Sequence, residues 1–158
     1  VEDLLRGKVV FDVVELDDLI LQRTDGSPTY NFVVVVDDAD MGITHVVRGS
    51  DLLYSTTKQI YLQQCLGFNI PQYAHIPLIR NLWGQKLSKQ NLTHAIDQNQ
   101  APGLITAALQ RLGHPPPASL SGANSKTLLD WGIQHWEIHR IPATIDDPEP
   151  YVDATDGS

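Results

Sequence analysis

Lys86 and Lys89 stand three residues apart around Ser88 in the run Gly84-Gln85-Lys86-Leu87-Ser88-Lys89-Gln90. A lysine is a mobile point charge with three donors, and a serine hydroxyl and loop amides add hydrogen bonds, which is the equipment a polyphosphate needs. Two lysines in isolation are more ordinarily a solvated polar loop. Here, however, the stretch from Arg80 to Lys89 carries Arg80, Lys86 and Lys89 with no acid, inside a chain of 11 Lys+Arg against 19 Asp+Glu and net charge -8. That balance excludes coating of nucleic acid by bulk electrostatics, so any RNA contact has to be local.

Arg48 is the second chemical candidate. It closes Thr44-His45-Val46-Val47-Arg48 ahead of Gly49, which reads as a short buried strand delivering the arginine into a loop, where ligands of open α/β sheets sit. Its planar fork suits a carboxylate in a way lysine cannot copy; an ion pair with an acid such as Asp51 is the structural alternative. Tyr30 offers a hydroxyl on a rigid ring, or else a half-buried core aromatic. Other patterns carry less. His135 and His139 lie four apart on an expected helix with Glu137 between them, but the order is not His-Glu-x-x-His and no third ligand is evident. Asp37-Asp38-Ala39-Asp40 reads as a solvated helix end rather than a magnesium site. Trp131 and Trp136 read as helix-packing residues, whereas Trp83 adjoins the cationic loop and is the tryptophan nearest to a nucleotide or RNA role.

The elements that position these residues follow from patterning. Val9 to Gln22 reads as a strand leading to a tight turn at Asp25-Gly26. Tyr30 to Asp38, with Phe32-Val33-Val34-Val35-Val36 at its centre, reads by propensity as a buried strand. Thr56 and Gln59 have capping-box spacing, Tyr61, Leu62, Cys65 and Leu66 suit the helix that follows, and Gly67 stops it. Ala74 to Ile79 is a further strand, which gives a strand, helix, strand order and hence a parallel α/β unit. Leu104, Ile105, Ala108, Leu109 and Leu112 recur at helical spacing behind Pro102 and ahead of Gly113. Pro115-Pro116-Pro117 forces an extended link, and a second helix starts near Asn124 or Ser125, uses Leu128, Leu129 and Ile133, and ends before Pro142. The tail from Ala143 is acidic and loose.

Lys86-Leu87-Ser88-Lys89-Gln90 resembles the second signature sequence of class I aminoacyl-tRNA synthetases, in the leucine-containing form of the glutamate-specific members. Asp25-Gly26-Ser27-Pro28-Thr29-Tyr30-Asn31-Phe32 and the run from Val35 through Asp37-Asp38-Ala39-Asp40-Met41-Gly42-Ile43-Thr44-His45 to Arg48-Gly49 are similar to the same group, so the resemblance covers roughly Leu19 to Asn91. Ser55-Thr56-Thr57-Lys58-Gln59-Ile60-Tyr61-Leu62-Gln63, Gln85 to Asn91 and Leu128-Leu129-Asp130-Trp131 look more like the branch that glutamylates queuosine in tRNA(Asp). The resemblance implies an α/β fold, the C-terminal half of a Rossmann-like catalytic domain followed by a small α-helical region. It also implies a helix, not a strand, over Tyr30 to Asp38.

By the same resemblance, Tyr30 and Arg48 match positions that bind glutamate, Lys86, Leu87, Ser88, Lys89 and Gln90 match the ATP-binding loop, and Lys89 is the catalytic lysine. The implied reaction joins L-glutamate to ATP, with Mg2+ accompanying the nucleotide, and passes the glutamyl group to tRNA(Asp) carrying queuosine. Fragments of a glutamyl-tRNA synthetase charging tRNA(Glu), or a noncatalytic truncated paralogue, are the rival expectations. The first signature sequence, of the His-Ile-Gly-His kind, does not occur here, so an inactive part of a larger enzyme is expected. With Cys65 as the sole cysteine there are no zinc ligands and no internal disulfide, which fits a reducing compartment. No apolar run is long enough to span a membrane. A cytoplasmic monomer is therefore expected, divided as residues 1–85 (catalytic part), 86–142 (signature loop and helical region) and 143–158 (acidic tail).

Overall fold

A strand, helix, strand crossover organises the first part of the chain. This structure, a computed structural model, describes residues 1–11, 18–79 and 97–142, and it divides into two compact units, Val1–Ile76 and Pro77–Ser158. The first unit contains β1 (Glu2–Asp3), β2 (Gly7–Lys8), α1 (Tyr30–Asp40), β3 (His45–Gly49), α2 (Leu53–Leu66) and β4 (Gln72–Ile76). Its sheet has the order β2-β1-β4-β3. β4 runs parallel to both β3 and β1, and β2 returns antiparallel to β1. Two parallel strands require a crossover, and α2 supplies it between β3 and β4. The resulting register sets Arg48 opposite His75 and Asp3 opposite Tyr73. Sequence-distant polar residues thereby meet at the centre of the sheet.

The mixed α/β class expected from the sequence is the one observed, with several elements shifted. The Phe32–Val36 run is helical, as the family resemblance implied and against its strand propensity. Val35 is its fully buried residue and packs in the layer between α1 and α2, and such tertiary packing outweighs the few tenths of a kcal/mol per residue by which β-branching disfavours helix. β3 is present, but it is not the buried strand its composition indicates, since Val47 is 66% exposed. β4 starts at Gln72 and ends at Ile76, earlier than the expected Ala74 to Ile79. Of the expected strand over Val9 to Gln22, the described residues show only an isolated bridge between Gln22 and Pro28; residues 12–17 lie outside the description. The turn at Asp25-Gly26 is present, closed by the Arg23 N–H on the Ser27 carbonyl at 2.8 Å and the Gly26 N–H on the Arg23 carbonyl at 3.0 Å.

α2 begins at Leu53, three residues before Thr56, so Thr56 and Gln59 are interior helix residues and not a capping box. Its end is as expected. Gly67 adopts φ +69°, and the Phe68 N–H reaches the Gln63 carbonyl at 2.9 Å, a left-handed closure that glycine accepts without a Cβ penalty.

The second unit is a helical pair, α3 (Ala101–Arg111) and α4 (Ser125–Gln134). Pro102 sits in the first turn of α3, where its missing N–H costs nothing. The helices approach closely at Gly132, where a Cβ would lie 2.9 Å from the Leu109 side chain. Asn124 opens α4 with its side-chain oxygen accepting the Thr127 N–H at 2.9 Å. Asn124→Ala is accordingly expected to cost about 1 kcal/mol, read as a lower urea midpoint. α4 stops at Gln134, and Ile138–Arg140 forms a separate 3-10 turn, so His135 and His139 do not share a helix face. His135 Nδ1 instead bonds the Trp131 carbonyl at 2.8 Å, and His139 Nε2 lies 3.1 Å from Glu137. Among the described residues no helix is long and apolar enough to cross a membrane.

Candidate functional site

The β3–β4 register brings Arg48 to a cluster of buried polar side chains. Arg48 Nε donates to His75 Nε2 at 3.3 Å, and Nη2 donates to Thr56 Oγ1 at 2.6 Å and to Gln59 Oε1 at 2.7 Å. Thr56, Gln59 and His75 are each no more than 1% exposed, while Arg48 itself is half-buried. The Arg48 guanidinium also lies 5.5 Å from the Tyr73 ring centroid, a cation–π distance. Its described hydrogen-bond partners are all neutral. Among the described residues, none engages Nη1.

Behind Arg48 stands Asp3. Its Oδ2 accepts from His75 Nδ1 at 2.6 Å and from the His75 backbone N–H at 3.0 Å, and its Oδ1 accepts from the Leu5 and Arg6 N–H groups, each at 3.0 Å. Burial pushes the Asp3 pKa upward, but the bonds from His75, Leu5 and Arg6 prevail and hold it below the usual carboxylate value. Burial also dominates at His75 and lowers its pKa, with Arg48 and Arg6 adding to the fall against the pull of Asp3. A carboxylate that only accepts requires the imidazole to donate through Nδ1. His75 is therefore neutral with its proton on Nδ1, and Nε2 is a bare acceptor facing Arg48. Thr56 Oγ1 lies 2.9 Å from that same Nε2 and 3.0 Å from the Leu52 carbonyl, and with Nε2 bare its single hydroxyl proton goes to one of the two at a time.

These pKa directions fix a pH dependence. A histidine held neutral in the fold binds its proton more readily in the unfolded chain, so the unfolded state holds more protons between the depressed folded pKa and about 6.5. Stability from His75 is then present above about 6.5 and is lost as the pH falls through that window. Asp3 has the same sign lower down: its contribution is present above the ordinary value of 3.8 and is lost as the pH falls through its lowered pKa. The urea midpoint is expected to drop between pH 7 and pH 5, and to drop less in His75→Gln.

Tyr30 opens α1 and is half exposed. Its neighbour Asn31 accepts a hydrogen bond from Gln59 Nε2 at 3.0 Å. Gln59 thus ties the first turn of α1 to Arg48 through its two ends. Asp38, on the same helix, is raised by burial against the opposing charge of Arg48. The structure joins Arg48 to His75, Thr56 and Gln59, and Gln59 to Asn31, the residue after Tyr30. Arg80, Trp83 and the loop residues Lys86, Leu87, Ser88, Lys89 and Gln90 lie outside the described residues, as does the acidic tail. Trp131 stacks on His135 and Trp136 on His114, each pair at 4.7 Å between centroids, which is packing within the helical unit.

Sequence reasoning missed four members of the cluster in their actual roles: Asp3, Thr56, Gln59 and His75. For Thr56 and Gln59 the signal was available, since an i, i+3 pair also shares one face of a helix. For Asp3 and His75 only the register of a parallel pairing across 72 residues joins them, and nothing local announces that.

The chain is a member of the family described as tRNA synthetases class I (E and Q), catalytic domain, which its residues 1–127 match. Its curated relatives narrow this further. It is 52% identical over 128 residues to a protein of Thiobacillus denitrificans named glutamyl-Q tRNA(Asp) synthetase, covering 81% of this chain and 42% of that one. A protein of the same name from Pseudomonas fluorescens is 45% identical over 135 residues, covering 85% and 45%. The chain thus spans less than half the length of these relatives. Among solved structures, a glutamate tRNA ligase from Elizabethkingia meningosepticum in complex with its amino acid superposes with a TM-score of 0.67 at 26% identity, over 90% of this chain and 32% of that one.

Proposed function

We propose that this chain provides the glutamate-recognising part and the second signature loop of an enzyme that joins glutamate to ATP and passes the glutamyl group to queuosine in tRNA(Asp). The observation that carries this is Arg48. Its guanidinium is held through Nε and Nη2 by three buried acceptors, and its Nη1 edge is uncommitted among the described residues. A guanidinium anchored through Nε and Nη2 has its two Nη1 donors left for a carboxylate. Tyr30 supplies a second donor to the amino acid, and Lys86, Leu87, Ser88, Lys89 and Gln90 receive ATP with its magnesium, with Lys89 at the phosphates as the catalytic lysine. The α-carboxylate of glutamate attacks the α-phosphorus and pyrophosphate leaves, so positioning and charge neutralisation are what the protein contributes. The working protein is a cytoplasmic monomer in this reading, with the signature loop and helical region, residues 86–142, following the catalytic part.

Two observations separate the acceptors. Identities of 45–52% to proteins named for queuosine-bearing tRNA(Asp) support the first. The likeness to glutamate tRNA ligases favours tRNA(Glu) as the second. The test is glutamate-dependent exchange of pyrophosphate into ATP by a form spanning the full length of the relatives, followed by transfer of labelled glutamate to tRNA(Asp) with and without queuosine. Transfer only to the queuosine form is the expected result. Charging of tRNA(Glu) instead would move the chain to the second reading, and exchange that survives Lys89→Ala unchanged would remove the ATP assignment.

A further inference from the structure

The geometry points to His75 as a positioning residue that aims the Arg48 guanidinium at a carboxylate ligand, locked for that task by Asp3, and that lets go when it takes up a proton. This rests on the reading of Arg48 as the glutamate receptor and extends it to two residues that never touch the ligand.

A guanidinium has five N–H donors in one plane. Three are committed here: Nε–H to His75, and both protons of Nη2 to Thr56 and Gln59. Acceptors along one edge and one end fix the plane, so the Nη1 end has a single direction left to offer. Thr56 and Gln59 come from α2, but the Nε bond depends on which nitrogen of His75 is bare. Asp3 decides that. Its Oδ2 takes the Nδ1 proton at 2.6 Å, in the way that carboxylates orient ligating or catalytic histidines elsewhere. The cluster is completed by Arg6, whose Nε reaches the His75 carbonyl at 3.2 Å, and by Tyr73, whose ring stacks on His75 at 6.0 Å between centroids. Asp38 on α1 acts on Arg48 by charge.

Protonation of His75 would put an N–H where Arg48 Nε–H now finds a lone pair. Two donors and two positive charges would then face one another. Thr56 Oγ1, 2.9 Å from Nε2, has a second lone pair that can take the new N–H, but nothing there replaces the lone pair that Arg48 Nε–H has lost. The guanidinium loses one of its three anchors, and the open end loses its aim. His75 thus couples the protonation of a site with no solvent exposure to carboxylate affinity at a half-exposed one.

Two measurements test this. In the unmodified chain, nitrogen NMR of labelled histidine should find the His75 proton on Nδ1 at pH 7; a proton on Nε2 overturns the inference without any variant having to fold. In a form spanning the full length of the relatives, glutamate-dependent exchange should show His75→Phe raising the KM for glutamate on the order of tenfold, the worth of one charge-assisted hydrogen bond. The KM for ATP and kcat should stay within about threefold, and His75→Gln, whose amide oxygen can take the Arg48 bond, should restore the glutamate KM. A structural role alone would lower the active fraction and so kcat, leaving KM unchanged, and would overturn the inference. The wild-type KM for glutamate should also rise as the pH falls through the His75 titration, and should do so less in His75→Gln. Arg48→Ala serves as the reference. If it leaves the glutamate KM unchanged, the reading of the site fails and this inference with it; if it raises the KM while His75→Phe does not, the inference alone fails.

Discussion

Arg48→Lys in a form spanning the full length of the relatives is expected to raise the glutamate concentration needed for half-maximal adenylate formation on the order of 10²-fold, near the cost of one well-placed donor. The dependence on ATP should change little. Charge is preserved in this variant, so simple electrostatics predicts almost no effect. Geometry predicts a large one. Arg48 bonds His75 through Nε while Nη2 holds Thr56 and Gln59, and the ligand end is a third nitrogen. A lysine has one nitrogen for all of these duties. If its ammonium satisfies the buried acceptors it leaves the ligand, and if it follows the ligand it leaves buried lone pairs without donors. The second arrangement costs about 1–3 kcal/mol for each unsatisfied group, so the first prevails and the receptor is lost. Initial-rate exchange at varied glutamate, with circular dichroism to confirm folding, gives the answer. A KM within threefold of wild type would mean that Arg48 is a structural brace and that the carboxylate binds elsewhere.

The same cluster shows which parts of the site were legible beforehand. Arg48 was visible because a strand end followed by glycine is a local pattern, and the receptor role proposed for it follows from residue type. Thr56 and Gln59 were seen with the right spacing and the wrong meaning. Three-residue spacing serves a capping box at a helix start and a shared face within a helix, and only the actual start at Leu53 separates the two. The helix over Tyr30–Asp40 ran against its own β-branched composition. It was recoverable only from the family resemblance, since what stabilises it is Val35 inside the α1–α2 layer and the Asn31–Gln59 bond, neither of which is local. His75 and Asp3 were beyond reach for the same reason in stronger form: their bond depends on β1 and β4 being parallel neighbours. The helical unit was read closely because Pro102, Gly113, Asn124 and the leucine spacing are all short-range signals.

That unit yields the second large effect. Gly113→Ala is expected to destabilise it by about 3 kcal/mol or more, a substantial share of a small domain's stability. Two costs add. Gly113 adopts φ +78°, where an alanine Cβ costs roughly 1–2 kcal/mol, and a Cβ there would lie 2.2 Å from the Arg140 carbonyl oxygen. The obstacle is backbone, so no rotamer change relieves it. The surroundings resist displacement as well. The His114 N–H closes α3 on the Leu109 carbonyl at 2.8 Å, while the buried His114 ring donates from Nδ1 to the Leu112 carbonyl at 2.7 Å and accepts the Glu137 N–H at 2.9 Å. Moving Arg140 away therefore disturbs the Glu137–Ile141 segment that His114 holds, along with the buried Ile141 side chain. Gly103→Ala is the matched control. It lies within α3 with nothing within 4 Å of an added Cβ, so it should gain about 0.5–1 kcal/mol from reduced unfolded-state freedom and better helix propensity. Trp83, Trp131 and Trp136 all fall within Pro77–Ser158, so urea unfolding followed by tryptophan fluorescence reads this unit. Opposite shifts in the two variants would establish that conformation and contact at Gly113, not glycine content, set the stability. A neutral Gly113→Ala would require the α3 terminus and the Arg140 backbone to stand farther apart than 2.2 Å allows.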